Sequence, residues 1–177
     1  MAKRPQGLVL VHTGEGKGKS TSAFGLALRA VGQGLRVFLI QFIKGTWKTG
    51  EAAAARRLAP ELEIRVGLGD GFTWITQNPD QDRLTSREIW KIAREAVFSK
   101  KYNMVIMDEI NVAMSLGHLD PEEVIAALRE RDPALHVVLT GRGAPQALID
   151  YADLVSEVRS IKHPYDRGIK AQMGIEF

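Results

Sequence analysis

The sequence predicts an α/β fold in which a mostly parallel sheet carries helices on both faces. Short apolar runs alternate with segments of helical periodicity along the chain, as in folds built from strand–helix–strand units. Most of these runs are almost continuously apolar, which is typical of strands buried on both sides of a parallel sheet. A glycine-rich segment directly follows the first run, at the position where such folds bind phosphate. The six predicted strands span 7–13, 36–42, 62–67, 104–108, 135–140 and 154–160.

The first predicted helix follows the glycine-rich segment and begins at Lys19. Its sequence places Phe24, Leu28 and Val31 on one face, because residues three or four positions apart lie side by side on a helix. A Gly-Gln-Gly triplet that begins at Gly32 marks its end, since glycine accommodates the backbone reversal found after many helices.

Two further helices carry recognisable start signals. Thr85 and Glu88 have the spacing of a capping box, so a helix is expected to begin at Thr85. Asp120 precedes Pro121 and two glutamates, which predicts Asp120 as the N-cap and Pro121 as the first helical residue. The apolar stripe predicted for the earlier helix consists of Ile89, Trp90, Ala93, Ala96 and Val97.

The whole chain, residues 1–177, is predicted to form one domain, because this length supports one full core and is short for two. The hydrophobic and charged fractions, 45% and 25%, are those of an ordinary globular protein. The net charge of +3 weakly favours an anionic ligand. Lysine and arginine are scattered among 21 acidic residues, so the charge pattern does not indicate nucleic acid binding.

The absence of cysteine excludes disulfides, thiolate zinc sites and a cysteine nucleophile. The basic N-terminus leads into an apolar stretch that ends at His12, which is too short and wrongly flanked for a signal peptide. No run approaches the ~18 apolar residues that a membrane span needs. We therefore expect a cytoplasmic protein that does not contact membranes.

The segment Thr13-Gly14-Glu15-Gly16-Lys17-Gly18-Lys19-Ser20 is predicted to bind phosphate. Its three glycines let successive backbone N–H groups point inward, and the following helix adds its positive end at the same place. Lys19 supplies a positive charge, and Ser20 supplies a hydroxyl suited to Mg²⁺. The usual pattern has glycine five positions before Gly18, whereas this chain has Thr13 there and Gly14 one position later.

Two adjacent acids, Asp108 and Glu109, stand at the carboxyl end of the fourth predicted strand. In a parallel sheet this position lies at the same edge as the phosphate loop, where a carboxylate holds Mg²⁺ directly or through water. Together with Ser20, these two residues form the predicted metal site. The loop, the strands and this acidic pair predict a P-loop NTPase architecture of the RecA-like kind.

Phe72 and Trp74 follow a glycine-framed turn at a spacing of two. In an extended segment this spacing points both aromatic rings the same way. Two interpretations remain open on the residues alone: the rings fill part of the core, which periodicity favours, or they form a wall for a large flat ligand.

Basic residues also occur near the carboxyl end of the fifth strand and in the C-terminal tail. Arg142 lies in the Thr-Gly-Arg-Gly segment after that strand, where ligands bind in this class of fold. It is either a ligand contact or an ordinary surface arginine. Residues 160–177 have weak periodicity and are expected to form an ordered tail across the surface.

Taken in order, six motifs resemble those of the ATP:corrinoid adenosyltransferases, a P-loop family that converts cob(I)alamin and related corrinoids to their adenosyl forms. The similarity extends from about residue 7 to 177. In that family the loop has the shortened form that begins at Gly14, so the resemblance explains the displaced glycine. The motifs are the loop at 13–20, Gln41-Phe42-Ile43-Lys44-Gly45, Gly71-Phe72-Thr73-Trp74, Asp108-Glu109, Thr140-Gly141-Arg142-Gly143 and the closing segment 162–174.

The resemblance implies that cobalt(I) of a reduced corrinoid attacks C5′ of ATP and that triphosphate departs. Lys19 and the loop amides would stabilise the leaving group, together with Mg²⁺ or Mn²⁺ on Ser20 and Glu109 and with Asp108 in support. Phe72 and Trp74 would wall the lower face of the corrinoid, which favours the aromatic-wall interpretation. The implied ATP contacts are Gly14, Glu15, Gly16, Lys17, Gly18, Lys19, Ser20 and Thr21.

The resemblance further implies a homodimer and an electron donor such as a reduced flavoprotein.

Two other functions fit the phosphate loop. A RecA-like ATPase acting on nucleic acid would suit the pI near 9.3 and Arg142, but the chain has no concentrated basic run. A small-molecule kinase is weakened by the lack of an arginine-rich segment that would cover the transferred phosphate.

Overall fold

The computed structural model describes residues 6–42, 50–67 and 79–176. These residues contain a six-stranded sheet in which every pair of neighbouring strands is parallel. All six predicted strands are confirmed, and the largest difference in bounds is three residues, at the end of the last strand. The strands are β1 Val9–Thr13, β2 Val37–Gln41, β3 Leu62–Val66, β4 Met104–Asp108, β5 His136–Thr140 and β6 Leu154–Glu157.

The strand order is β3-β2-β4-β5-β1-β6. Because β4, β5 and β1 are neighbours and parallel, the loops that follow them meet at one edge of the sheet. This order places the phosphate loop after β1, the acidic pair at the end of β4 and the Arg142 segment after β5 side by side. The carboxyl edge at β4, β5 and β1 is therefore where the predicted site residues converge.

Helices pack on both faces of the sheet, as predicted, and each face has its own core. Alternate strand residues point to opposite faces, so Val9 and Val11 belong to one core and Leu39 and Ile106 to the other. The described helices are α1 Lys19–Gly32, α2 Gly50–Arg57, α3 Pro79–Phe98, α4 Ile110–Ser115, α5 Pro121–Arg129 and α6 Gln146–Tyr151, with a 3₁₀ turn at Pro164–Arg167. No helix in these ranges is both long and apolar enough to cross a membrane.

The predicted start and end of α1 are confirmed, but the apolar face predicted for it, with Phe24, Leu28 and Val31, is not its fully buried face. The Leu28 side chain is 60% exposed. The fully buried side of the helix is instead formed by small residues, Ala23, Ala27 and Ala30. Alanine allows a helix to approach a sheet closely, so the face with the smallest side chains, and not the face with the largest, lies against the strands.

The predicted start of α3 is also wrong, because the helix begins at Pro79 and not at Thr85. Thr85 lies inside the helix, where its hydroxyl donates to the Gln81 carbonyl oxygen at 3.1 Å. The predicted stripe of five apolar residues in this helix is confirmed, since all five are buried. The predicted N-cap of α5 is confirmed as well: Asp120 Oδ1 accepts from the Glu122 N–H at 3.0 Å.

One hydrogen bond ties β3 to the segment that precedes β4 and provides a test of the fold. The Tyr102 hydroxyl donates to Glu63 Oε2 at 2.5 Å. Burial and this bond raise the pKa of Tyr102 to about 12, and the same bond lowers the pKa of Glu63. Because the Glu63 pKa is lowered in the folded state, the stabilisation is present at neutral pH and is lost as pH falls through that lowered pKa.

We expect Tyr102→Phe to lower the free energy of unfolding by about 1 kcal/mol at pH 7. The difference from the parent protein should shrink in acid, where Glu63 becomes protonated. Urea unfolding at both pH values measures the effect. An equal loss at both pH values would contradict the assignment of the stabilisation to this bond.

Candidate active site at the carboxyl edge of the sheet

The loop between β1 and α1 is held together by Lys19, the first residue of α1. Its ammonium group donates to the carbonyl oxygens of Gly14 and Gly16, each at 2.7 Å. Gly18 has a φ of 123°, a conformation that side-chain-bearing residues rarely adopt. Lys19 is only 6% exposed, so its charge is concentrated at the start of α1, where the first N–H groups of the helix are also free to bind an anion.

The displaced glycine of this loop has a structural reason. Gly14 has a φ of 96°, and a Cβ there would lie 2.5 Å from the Val158 carbonyl oxygen. The Gly16 N–H donates to the same oxygen at 2.7 Å, and a Cβ on Gly16 would lie 2.6 Å from the Arg159 carbonyl carbon. The chain after β6 thus packs directly against the loop, and only glycine fits at both positions.

A cavity of about 510 Å³ opens above this loop, a volume in the range of small-ligand sites. Seven of the eight residues predicted to bind ATP line it. The remaining one, Gly14, contributes the carbonyl that Lys19 binds. The lining residues from the loop are Glu15, Gly16, Lys17, Gly18, Lys19, Ser20 and Thr21.

Glu109 also lines this cavity. Burial raises the pKa of its carboxyl group, and the neighbouring Asp108 raises it further, while Lys19 and Arg142 oppose the shift. Burial likewise lowers the pKa of the Lys19 ammonium, and Glu109 opposes that shift. The Glu109 carboxyl group and the Lys19 ammonium group are thus both partly desolvated in one cavity, and ionisable groups with such shifted pKa values are common at functional sites.

Asp108 is placed differently from its neighbour. It is 2% exposed, and both of its carboxylate oxygens already accept hydrogen bonds. Oδ1 accepts from the Thr140 hydroxyl at 2.6 Å, and Oδ2 accepts from Gln41 Nε2 at 3.1 Å. Of the three residues in the predicted metal site, Ser20 and Glu109 line the cavity and Asp108 lies in the buried row of polar side chains at the sheet edge.

The chemistry of the cavity wall fits a hard divalent cation. Mg²⁺ and Mn²⁺ prefer oxygen ligands and use few protein groups when phosphate oxygens supply the rest. The Ser20 hydroxyl and the Glu109 carboxylate are oxygen donors on the same cavity. Among the described residues there is no cluster of three His, Cys, Asp or Glu side chains that would bind a metal without a nucleotide.

Comparison with known proteins identifies the family. The family profile described as ATP:corrinoid adenosyltransferase BtuR/CobO/CobP matches residues 5–177. The chain belongs to the ATP:corrinoid adenosyltransferase family. It is 44% identical over 176 residues to the corrinoid adenosyltransferase of Pseudomonas aeruginosa, covering 99% of this chain and 86% of that protein. It is 42% identical to the corrinoid adenosyltransferase of Escherichia coli, covering 99% of this chain and 88% of that protein.

A solved structure supports the fold and nothing further. The flagellar accessory protein FlaH from Methanocaldococcus jannaschii aligns with a TM-score of 0.59 at 13% identity, covering 86% of this chain and 71% of that one. The predicted P-loop architecture is thereby confirmed for this adenosyltransferase family member. Both relatives named above are corrinoid adenosyltransferases, and membership of this family favours adenosylation of corrinoids over the two alternative functions.

Two of the predicted catalytic residues of this family member, Phe72 and Trp74, lie outside the described residues, as does the segment 43–45. Lys19, the third, begins α1, and its ammonium group binds two carbonyl oxygens of the loop. Arg142 lines the cavity and forms an ion pair with Glu15 at 3.3 Å. Both side chains of this pair are well exposed, so the pair adds little stability and leaves Arg142 available to an anionic ligand.

Sequence reasoning missed the contribution of the tail to the cavity of this family member. The sequence signals were weak: the segment 162–174 was one of the six family motifs, but no residue of the tail was predicted to line the site. Lys17 of the phosphate loop forms an ion pair with Glu176 near the end of the chain. The residues of 160–176 that line the cavity are Ser160, His163, Tyr165, Asp166, Ile175 and Glu176, joined by Glu51 of α2.

Proposed function

We propose that this protein transfers the 5′-deoxyadenosyl group of ATP to the cobalt(I) of a reduced corrinoid and releases triphosphate. The family match over residues 5–177 carries the proposal, and the lysine-bearing phosphate loop is consistent with it. In the reaction a cobalt–carbon bond forms at C5′ and the C5′–oxygen bond breaks. The electron pair of the broken bond leaves on the triphosphate.

The protein has no proton to remove from the cobalt nucleophile, so no general base is needed. Its task is to hold the nucleotide in line with the attacking atom and to stabilise the charge on the leaving group. Lys19 and the N–H groups at the start of α1 line the same cavity and are suited to that charge. Arg142, which lines the same cavity beside Glu15, would add a second positive charge.

We propose that Ser20 and Glu109 hold Mg²⁺ or Mn²⁺ together with phosphate oxygens. When bound, such a cation neutralises charge on the departing triphosphate. Glu109 is half-buried beside Asp108, and a cation would offset the repulsion between the two carboxylates. Asp108 would act through its neighbours, since both its oxygens are already hydrogen-bonded.

The direct test is anaerobic incubation of the protein with ATP, Mg²⁺ and chemically reduced cobalamin. The expected result is the absorption spectrum of adenosylcobalamin, with one triphosphate released for each product formed. ADP or orthophosphate as the main product would contradict the proposal. Stimulation of ATP hydrolysis by a polynucleotide would favour the nucleic acid ATPase instead.

We propose that Phe72 and Trp74 form an apolar wall against the lower face of the corrinoid. A wall without donor atoms offers cobalt no axial ligand, which favours the reduced metal. Phe72→Ala and Trp74→Ala are therefore expected to slow adenosylation about tenfold or more when the assay starts from cobalt(II) and a reductant. ATP binding, and the rate with chemically prepared cobalt(I), should change much less.

Phe98→Ala is the matched control, because Phe98 is an exposed aromatic residue at the end of α3. Adenosylation from cobalt(II) should be unchanged in this variant. Parent-like rates for the Phe72 and Trp74 variants in the cobalt(II) assay would contradict their role.

Three further properties stay predictions. The resemblance predicts a homodimer and a reduced flavoprotein as electron donor, and the composition predicts a cytoplasmic location.

A further inference from the structure

The last residue of β5, Thr140, joins the two adjacent acids at the end of β4, Asp108 and Glu109. Its hydroxyl donates its hydrogen to Asp108 Oδ1 at 2.6 Å and accepts from the Glu109 backbone N–H at 3.0 Å. Thr140 is fully buried and does not line the cavity. We propose that Thr140 is a positioning residue that holds Glu109 in the orientation needed to bind the metal–nucleotide complex. This inference rests on the metal site of the proposed function.

Glu109 requires such support because of its backbone conformation. It has a φ of 64° and a ψ of 16°, which is the left-handed region, and it is neither glycine nor asparagine. The residue forms the bend between β4 and α4. In this conformation its N–H points to the Thr140 hydroxyl while its side chain lines the cavity. Residues held in such conformations need surrounding contacts to fix them.

Thr140 is itself held by a row of side chains across the sheet. The strand register places Gln41 of β2 beside Asp108 of β4, and Thr140 of β5 follows next in the same row. Gln41 Nε2 binds the second oxygen of Asp108 at 3.1 Å. The Asp108 carboxylate therefore accepts one hydrogen bond from each neighbouring strand, and these two bonds fix its orientation. Because the Thr140 hydroxyl donates its hydrogen to Asp108, that hydrogen points away from Glu109. The Thr140 oxygen is thus left to accept from the Glu109 N–H.

Space for the Glu109 carboxylate comes from the residue after Thr140. Gly141 has a φ of 126°, and a Cβ there would lie 3.2 Å from Glu109 Oε2 and 3.1 Å from the Val112 nitrogen. The end of β5 thus contributes twice to the placement of Glu109, through the Thr140 hydroxyl and through the missing side chain of Gly141.

The experiment measures Mn²⁺ binding to the full chain with ATP and without corrinoid, so no reaction occurs. Electron paramagnetic resonance of free Mn²⁺, compared with the same ATP solution without protein because ATP itself chelates Mn²⁺, gives the dissociation constant for Mn²⁺ in the complex with protein and ATP. Thr140→Val keeps the shape and removes the hydroxyl, and we expect it to weaken Mn²⁺ binding about 10- to 100-fold. Thr140→Ser keeps the hydroxyl and should bind Mn²⁺ within about twofold of the parent protein. Thr140→Ala repeats the test without a branched side chain, should the valine variant not fold.

Thr85→Val is the matched control, because it also removes a buried threonine hydroxyl, at a place where that hydroxyl binds a carbonyl within α3. Its Mn²⁺ binding should be unchanged, whatever its unfolding temperature. ATP binding in EDTA should be similar in all variants.

Parent-like Mn²⁺ binding in the hydroxyl-free variants would overturn the inference, as would equal weakening in Thr140→Ser. A weakening of ATP binding in EDTA by the same factor would also overturn it, because Thr140 would then support the whole loop. If the parent protein itself bound no Mn²⁺ with ATP, the metal site of the proposed function would fail instead.

Discussion

Lys19→Ala is expected to abolish ATP-dependent adenosylation, with a fall in the rate of about 1,000-fold. Lys19 is 6% exposed and faces the cavity from the first turn of α1. Its charge would act on the triphosphate as negative charge builds on it. The alanine variant also loses the two bonds to the carbonyls of Gly14 and Gly16, so ATP binding should weaken along with the rate. Isothermal titration with ATP and the anaerobic adenosylation assay measure both effects.

Lys91→Ala provides the matched control for this prediction. Lys91 is an exposed lysine on α3 that pairs with Glu88, and removing it should leave ATP binding and adenosylation unchanged. Thermal unfolding should place both variants within about 4 °C of the parent protein. An active Lys19→Ala protein would show that the triphosphate lies elsewhere, and a Lys19→Ala protein that unfolds far earlier would show a structural role.

Glu109→Gln is expected to lower the adenosylation rate at least about 100-fold and to raise the Mg²⁺ concentration needed for half-maximal activity. The glutamine keeps the size of the side chain but is a poor ligand for a hard cation. Although the substitution lowers activity, it should not lower the stability of the protein without ligand. Burial raises the pKa of Glu109 in the folded state, so folding disfavours the carboxylate, and stability is lost as pH rises through that pKa. Without ligand at pH 8, the variant should therefore be as stable as the parent protein or more stable.

Glu130→Gln removes an exposed acid at the end of α5 and is the control for Glu109→Gln. It should change neither the rate nor the Mg²⁺ dependence. The measurements are initial rates across a Mg²⁺ series and thermal unfolding in EDTA. A Glu109→Gln protein that is active but less stable would remove Glu109 from the metal site and make it a structural residue.

Strands and loop were predictable from the sequence because both depend on local patterns. A buried parallel strand needs a continuous apolar run, and β4 is such a run followed by an acid. The phosphate loop needs glycines before a lysine that begins a helix, and that order is visible in the chain itself. The position of the predicted site at one sheet edge follows, since all parallel strands end on the same side.

The errors arose where packing overrides local preference. Leu28 lies on an apolar stripe by sequence, yet it is 60% exposed because the alanines of α1 face the sheet. Thr85 has the spacing of an N-cap, yet the helix continues six residues before it. In both cases the local signal is worth a fraction of a kcal/mol to about 1 kcal/mol, which is less than the free energy of packing a helix against a sheet.

By itself, the sequence determined the parallel α/β fold, the phosphate loop with Lys19 and Ser20, and the family. Only the tertiary structure separated the two adjacent acids, with Glu109 on the cavity and Asp108 in a buried polar row. It alone showed why glycine is needed at Gly14, where the chain after β6 lies 2.5 Å from the position of a Cβ. Motifs record local geometry and residue chemistry, whereas these two features depend on contacts between segments more than 30 residues apart in the sequence.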